Sequence, residues 1–300
     1  MVLGKKSQQK QPADIKWNSR QRLQYIELMA WYTGVVSRSD VASTFGLSDP
    51  AATKDLKLYG ELAPDNLIYK HSVFGFVPGP SFKEVFADLT PSVALPMIAG
   101  NLTTVGGPTD DKLIYGIHVD TLPLPSRLPD KAILAQITRA AKHHKKCQVS
   151  YHSMSPRDNN DSRIIEPHSF INNGLRWHVR AYNEDSFDFR DFVLSRMVDA
   201  RMLEQDAESS AHYDDDWVET FTLQLAPHPD LTPQQQQSLL VDYAATDNII
   251  EISVRRALLG YVLQRMSVDT TREHSLNPNA YQLVVVNREE IEPFAGWAFL

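Results

Sequence analysis

The residue types best suited to chemistry gather between Cys147 and Met202. There Trp177-His178-Val179-Arg180-Ala181-Tyr182 follows Asn172-Asn173-Gly174, a tripeptide that tolerates positive φ and so predicts a hairpin turn feeding a strand. Strand alternation sends His178, Arg180 and Tyr182 to one face, and Trp177, Val179 and Ala181 to the other, the core side. The next run, Phe187 to Met197, alternates likewise and puts Arg190, Phe192, Leu194 and Arg196 on one side. Three arginines and a histidine on adjacent strands suit an anion. Arg180, Arg190 and Arg196 would grip phosphate or carboxylate through forked hydrogen bonds, Tyr151 or Phe192 would stack on a base, and Ser153, His168 or His178 would add polar donors. The bland alternative pairs these arginines with Asp188, Asp191 and Asp199.

Catalysis is less well served. Ser153 or Ser155 could combine with His168 or His178 and Asp191, but any serine- and histidine-bearing strands offer as much. The sequence has no nucleophile motif, Gly-rich phosphate loop, His-x-x-x-His pair or cysteine cluster. No catalytic residue, metal site or resident cofactor is therefore expected. His143 and His144 are adjacent and project from different sides of a helix, and the polar loop from Ser155 to Asp161 lacks Ca²⁺-loop spacing.

The elements that precede this block read as a helical head. From Asn18, Leu23, Ile26, Ala30 and Thr33 recur at helical spacing and Gly34 closes the run. Ser37-Arg38-Ser39-Asp40 has capping-box form and opens a short helix that Val41, Ala42 and Phe45 bury and Gly46 ends. Ser48 is expected to cap a third helix, with Asp49 and Pro50 in its first turn. On it Ala52, Leu56 and Tyr59 face inward and leave Thr53, Lys54 and Lys57 on the open face. Two short helices around a Gly-containing turn predict a helix-turn-helix, and Leu67–Lys70 with Val73–Val77 across His71-Ser72 would add a β-wing. Such a head would enter the major groove of duplex DNA, with Ser48, Ala51, Thr53 and Lys54 nearest base edges and Arg20, Ser37, Arg38 and Lys57 nearer phosphates.

Charge is distributed to match. The chain carries a net charge of -7, yet residues 1–60 hold nine Lys/Arg against five Asp/Glu. A basic end on an acidic body suggests that one end meets a polyanion. Residues 1–17 form a Lys- and Gln-rich arm. The single cysteine, Cys147, is expected to be a small buried hydrophobe beside a strand. No apolar run reaches membrane-spanning length, and the polar, basic N-terminus has no apolar core, so a cytoplasmic protein without a membrane partner is expected.

The region 81–130, rich in Pro and Gly, reads as a connection with interrupted helices and one strand at Leu113–Val119. Pro129 opens a helix with Ile133, Ile137 and Ala140 or Ala141 as its apolar stripe and Lys142–Lys146 as a cationic end. After 131–205, acids at Asp206, Glu208, Asp214, Asp215 and Asp216 form a hinge. A last unit, 217–300, follows as strand Phe221–Leu225, helix Pro233–Asp242, strand Ile249–Val254, helix Arg256–Met266 and strand Tyr281–Val286.

Trp177-His178-Val179, with Val149-Ser150-Tyr151-His152-Ser153, Glu166-Pro167-His168 and Arg190 to Met197, resembles the WYL domain, with histidine and valine in place of the tyrosine and leucine of its namesake tripeptide. The resemblance implies an Sm- or SH3-like small β-barrel in a bacterial transcription regulator. With the winged head at 18–80 and a C-terminal extension, the whole chain resembles regulators associated with bacterial anti-phage defence islands. The fold class expected is therefore α+β: winged helix-turn-helix, central barrel, and a small α+β dimerisation domain. The function implied is a homodimeric repressor of a defence operon, bound to an inverted repeat and responsive to an anionic or nucleotide-like effector. The alternative is a module whose barrel binds single-stranded nucleic acid or an oligonucleotide signal.

Overall fold

A computed structural model describes residues 15–100, 116, 117, 119, 122–154, 162–245 and 247–300. The chain falls into two compact units that divide between Leu122 and Pro123. The basic arm before Ile15, the loop 155–161 and most of the strand expected at 113–119 lie outside the described residues.

The first unit begins with α1 (Trp17–Thr33), α2 (Arg38–Phe45) and α3 (Asp49–Leu62). Gly34 ends α1 at φ +79° and Gly46 ends α2 at φ +61°, left-handed conformations that glycine adopts without a Cβ penalty. The capping box is present: Ser37 Oγ accepts from Asp40 N, and Asp40 Oδ2 accepts from Ser37 N at 2.7 Å. Ser48 stands at the N-cap of α3 but its side chain makes no cap bond, a correction to the expected cap. The wing is β1 (Leu67–Lys70) paired antiparallel with β2 (Gly75–Pro78). Val73 and Phe74 belong to the connection instead of the second strand, because His71–Val73 form a 3-10 turn that Phe74 closes at φ +50°. A further helix, α4 (Pro91–Gly100), contains Pro96.

Leu23, Ile26, Ala30, Val36, Val41, Ala52, Leu56 and Tyr59 form this unit's core, and Phe86, Leu89, Ala94 and Ile98 pack into it. At its centre is Glu27, fully buried in mid-helix. Its carboxylate accepts the backbone N–H groups of Val85, Phe86 and Ala87 and the Tyr59 hydroxyl, all within 2.6–2.9 Å. One acid thus holds α1, α3 and the 85–87 segment together, and four donors offset its desolvation.

The second unit holds α5 (Lys131–His143) and a five-stranded antiparallel sheet. Its strands are β3 (Lys145–Tyr151), β4 (Ser162–Asn172), β5 (Trp177–Asn183), β6 (Asp188–Val193) and β7 (Met197–Asp206), in the order β6-β5-β4-β3-β7. The Asn173–Arg176 turn joins β4 to β5 with Gly174 at φ +80°. Among the described residues β6 and β7 end the sheet without pairing, so the expected barrel is an open sheet with no closing ladder. Asp130, not Pro129, caps α5, and His144 in a left-handed conformation ends it, moving Lys145 and Lys146 into β3. Ile133, Ile137 and Ala140 of α5 pack on Cys147, Val149, Ile165, Val179 and Ala181. Cys147 is buried, and burial pushes its thiol up to about 11, as a small core hydrophobe requires.

A short helix α6 (Asp215–Val218) leads to the last layer: β8 (Thr220–Pro227), α7 (Pro233–Asp242), β9 (Ile250–Arg255), α8 (Leu259–Arg265), β10 (Val268–Asp269), β11 (Leu283–Val285) and α9 (Arg288–Ala295). Its sheet order is β10-β11-β8-β9.

Glu27→Ala is expected to destabilise the helical head by about 3 kcal/mol, since three backbone N–H groups lose their acceptor. Urea unfolding of the full chain checks this; a change under about 0.5 kcal/mol, the size of an ordinary surface substitution, would contradict the role given to Glu27.

Candidate functional site

Two surfaces carry the candidate residues. The first lies on α3, where Ala52, Asp55, Leu56 and Tyr59 are buried and Thr53, Lys54 and Lys57 stand together on the exposed side. Ser48 is exposed and Ala51 half-buried at the same helix start. Thr53 Oγ1 donates to Asp49 O at 2.9 Å, while Lys57 lies 4.0 Å from Glu61. Arg38, at the start of α2, meets Asp49 at 3.2 Å in an exposed pair, which links the entries of the two helices. Ser37 is committed to its cap, so its side chain is not open for phosphate. Arg20 is exposed on α1.

What sets the pitch of α3 went unread in the sequence. Arg22 of α1 grips Asp55 of α3 in a forked pair, Nε to Oδ2 at 2.6 Å and Nη2 to Oδ1 at 3.1 Å. Asp55 is buried, so this bond is shielded from screening. The available signal was Asp55 itself, a carboxylate between the apolar positions Ala52, Leu56 and Tyr59.

The second surface is the face of β5 and β6 from which an anion grip was expected. The structure fills it with protein. Arg180 is 4% exposed and donates to Asp214 through Nε (2.5 Å) and Nη2 (2.9 Å), to Asp191 through Nη1 (3.2 Å) and to Asp216 through Nη2 (3.4 Å). Burial opposes its charge, but Asp214 and Asp191 outweigh that and hold the guanidinium firmly protonated. Burial likewise works against Asp214, yet His168 and Arg180 bring its carboxyl down to about 2. His168 donates from Nε2 to the Asp214 carboxylate at 3.1 Å, and its Nδ1 shares a hydrogen bond with Ser169 Oγ at 2.9 Å. Asp216 turns its other oxygen to Arg256, and Asp191 accepts the Tyr261 hydroxyl at 3.0 Å. Of the acids expected to form a hinge, Asp214 and Asp216 thus pin the C-terminal layer to β5, whereas Asp206 and Glu208 pair with Lys145 and Lys146 of β3.

The other expected ligand contacts also move. Tyr151 and Phe192 are core residues, packed edge-on with centroids 5.3 Å apart, and the Tyr151 hydroxyl accepts from Val193 N, so neither offers a stacking platform. Arg190 pairs with Asp188 on its own strand, as the bland alternative had it. Leu194–Arg196 form a 3-10 turn, which ends the strand alternation expected to put Arg196 on one side with Arg190. Ser153 is half-buried beyond β3. Trp177, assigned to the core, is 40% exposed: it opens β5 beyond the last core layer.

A different cationic group forms instead. His178 is buried against the Tyr261 ring, 5.0 Å between centroids, and its Nε2 accepts from Arg176 Nε at 3.2 Å. Burial first, then Arg176, Arg196 and Arg127, push this imidazole down to about 4. Arg176 is itself shifted down by burial and by Arg127 and Arg196. Arg127, Arg176 and Arg196 make no ion pair among the described residues. On the α5 side of β5 an apolar slot of about 250 Å³ is lined by Leu128, Pro129, Leu134, Thr138, Phe170, Trp177 and Leu194.

Three family descriptions match the chain. They are the BrxR transcriptional regulator winged helix-turn-helix domain over residues 18–99, the WYL domain over 132–202 and the BrxR transcriptional regulator C-terminal dimerization domain over 220–291. A DNA-binding transcriptional repressor, CapW, of Escherichia coli (strain KTE188) is 32% identical over 96% of this chain and 95% of its own length. Repressors of the same name from Pseudomonas aeruginosa and Stenotrophomonas maltophilia are 30% and 28% identical, over 92% and 93% of this chain and 92% of each relative. Among solved structures, Proteasome accessory factor B/C (PafBC) of Arthrobacter aurescens aligns with 94% of this chain at 14% identity and a TM-score of 0.25; this chain spans 48% of its length.

Because His178 is held neutral when folded, the unfolded chain gains a proton between its ordinary value near 6.5 and about 4 that the folded chain does not. Stability should therefore fall as pH drops through that window, by at most about 1.4 kcal/mol per unit. Urea unfolding at pH 6.5 and pH 5 should show a smaller difference in His178→Gln than in the wild type; equal differences would show that His178 is not the group responsible.

Proposed function

This chain belongs to the CapW family of DNA-binding transcriptional repressors, and on that premise we propose that it is a dimeric, effector-responsive repressor of a phage-defence operon in the bacterial cytoplasm. The observation that carries the DNA-binding half is the division of α3. Buried Ala52, Leu56 and Tyr59, with Asp55 anchored on Arg22, fix the helix, while Thr53, Lys54 and Lys57 project from it. In this reading Ser48, Ala51, Thr53 and Lys54 meet base edges in the major groove, and Arg20, Arg38 and Lys57 meet phosphates. Arg38 reaches phosphate by exchanging its exposed Asp49 partner, a pair weak enough to give up.

The C-terminal layer supplies the two-fold contact in this reading, so the operator is an inverted repeat with half-sites about 34 Å apart or a multiple of that spacing. An effector acts by binding the DNA-competent and DNA-incompetent arrangements of the dimer with unequal affinity. The junction of β5 with the C-terminal layer, closed around Arg180, is the path by which a ligand near β5 would reach the dimer contact.

Lys54→Glu places a carboxylate on the exposed side of α3 and should abolish selective binding to duplex DNA from upstream of the gene, while leaving the thermal midpoint within a few degrees of wild type. Gel-shift and thermal-melt measurements test the two arms. Wild-type operator affinity in the variant would remove α3 from the interface.

A further inference from the structure

Resting on the reading that the C-terminal layer supplies the two-fold contact, we propose that the free edge of β9 forms it: β9 of one copy pairs antiparallel with β9 of a second, with Ser253 on the two-fold axis. The two edges of the four-stranded sheet are unlike. β10 is two residues long, Val268–Asp269, both buried. β9 runs for six, Ile250–Arg255, in unbroken register with β8 and without proline. Gln224 O accepts from Val286 N and His228 N donates to Gln282 O, both at 2.8 Å, so the even-numbered residues of β8 bond towards β11. Its odd-numbered residues bond towards β9, where Phe221, Leu223 and Leu225 stand opposite Val254, Ile252 and Ile250, and Arg256 N continues the ladder to Glu219 O at 2.9 Å. The N–H and C=O groups of Glu251, Ser253 and Arg255 therefore point away from β8, and no strand among the described residues takes them. A long, regular edge of this kind is a template for another strand.

Self-complementarity selects a second copy as the occupant. A two-fold contact sets the same surface against itself, so the outward groups of β9 must meet outward groups. With Ser253 on the axis it meets its own counterpart, Glu251 meets Arg255 of the second copy, and Arg255 meets Glu251. Both charges are exposed. Glu251 accepts from Gln224 Nε2 at 2.9 Å, while Arg255 donates to Trp217 O and lies over the Trp217 ring at 4.9 Å, and neither has an ion-pair partner among the described residues. On the other face half-buried Ile252 meets Val254, a pairing that β-branched side chains favour. An axis at Ile252 or at Val254 would also match the free backbone groups, but it takes Glu251 away from Arg255. Charge thus chooses the register, and the pairing closes about six backbone hydrogen bonds, two in each bonded pair.

The test uses the full chain, whose single cysteine, Cys147, is buried and leaves an introduced thiol to report its own surroundings. Ser253→Cys sets two thiols opposite each other across the axis, with Cα atoms about 5.5 Å apart, within disulfide reach. Mild oxidation should convert most of this variant to a linked dimer on a non-reducing gel. Glu251→Cys alone should not link, because its counterpart lies about four residues, roughly 13 Å, along the partner strand. An equal mixture of Glu251→Cys and Arg255→Cys should link. Ser253→Pro removes an N–H that faces away from β8, so the chain's own ladder is kept while the contact loses two hydrogen bonds. Its dimer, followed by sedimentation equilibrium, should be at least about tenfold weaker than that of the wild type, with the circular dichroism spectrum unchanged.

A dimer that stays unlinked in Ser253→Cys overturns the proposal, as does wild-type dimer affinity in Ser253→Pro. Linking of Glu251→Cys to itself, without linking in Ser253→Cys, overturns the register. Duplex binding and sedimentation of the wild type are measured alongside. A wild type that sediments as one chain at every concentration removes the dimeric reading and the proposal together, whereas a wild-type dimer that binds duplex while Ser253→Cys stays unlinked removes the proposal alone.

Discussion

Arg180 brings a full positive charge into the seam between the central sheet and the C-terminal layer, where water cannot solvate it. Such a charge persists only if carboxylates surround it with good geometry, and breaking one of those contacts costs about 3–5 kcal/mol. Asp191 comes from the neighbouring strand, whereas Asp214 and Asp216 come from the segment that leads into the C-terminal layer. That segment is therefore fixed to β5 before any sheet packing is counted. Asp216 extends the grip to Arg256, and Asp191 extends it to Tyr261 on α8, so one guanidinium sets the register of both layers. A shift of β5 cannot leave the C-terminal layer where it was.

The helical head relies on the same device in a different place. Glu27 is satisfied by three backbone N–H groups and one hydroxyl, and Asp55 by the Arg22 fork. Both acids are buried among apolar side chains, and their directional bonds tie each helix to its neighbour at a defined rotation. For α3 that rotation decides which side chains face outward. The outward set is Thr53, Lys54 and Lys57, in a head whose first 60 residues are the positive end of a negative chain.

Periodicity made the helices of the head legible, since Leu23, Ile26 and Ala30 or Ala52, Leu56 and Tyr59 bury at the spacing that the sequence displays. Turn chemistry did the same for Gly34, Gly46 and Gly174. The strand-helix order of the C-terminal layer also followed from local pattern, and the short β10 and α9 were the elements passed over. The ligand face failed for a physical reason. Alternation correctly put His178 and Arg180 on the side of β5 away from Val179 and Ala181, but a single strand cannot show whether that side meets solvent or a second layer. Here Tyr261 and Asp214 cover it, and an alternation rule that reads polar as exposed breaks down where polar residues pair across layers. Arg127, Arg176 and Arg196, which have no acid partner among the described residues, lie in a connection, a turn and a 3-10 segment, where no period predicts a side chain's surroundings.

The account stands or falls on whether two copies of this chain read duplex DNA. The most direct measurement is the binding of wild-type protein to duplex from upstream of its own gene and to an unrelated duplex, titrated across salt concentration with the stoichiometry determined. The account predicts two chains per site, selectivity for the upstream duplex, and a log–log salt slope of several units, as Lys- and Arg-to-phosphate contacts release counterions. Equal, weak binding to both duplexes, or a single chain per site, would contradict it.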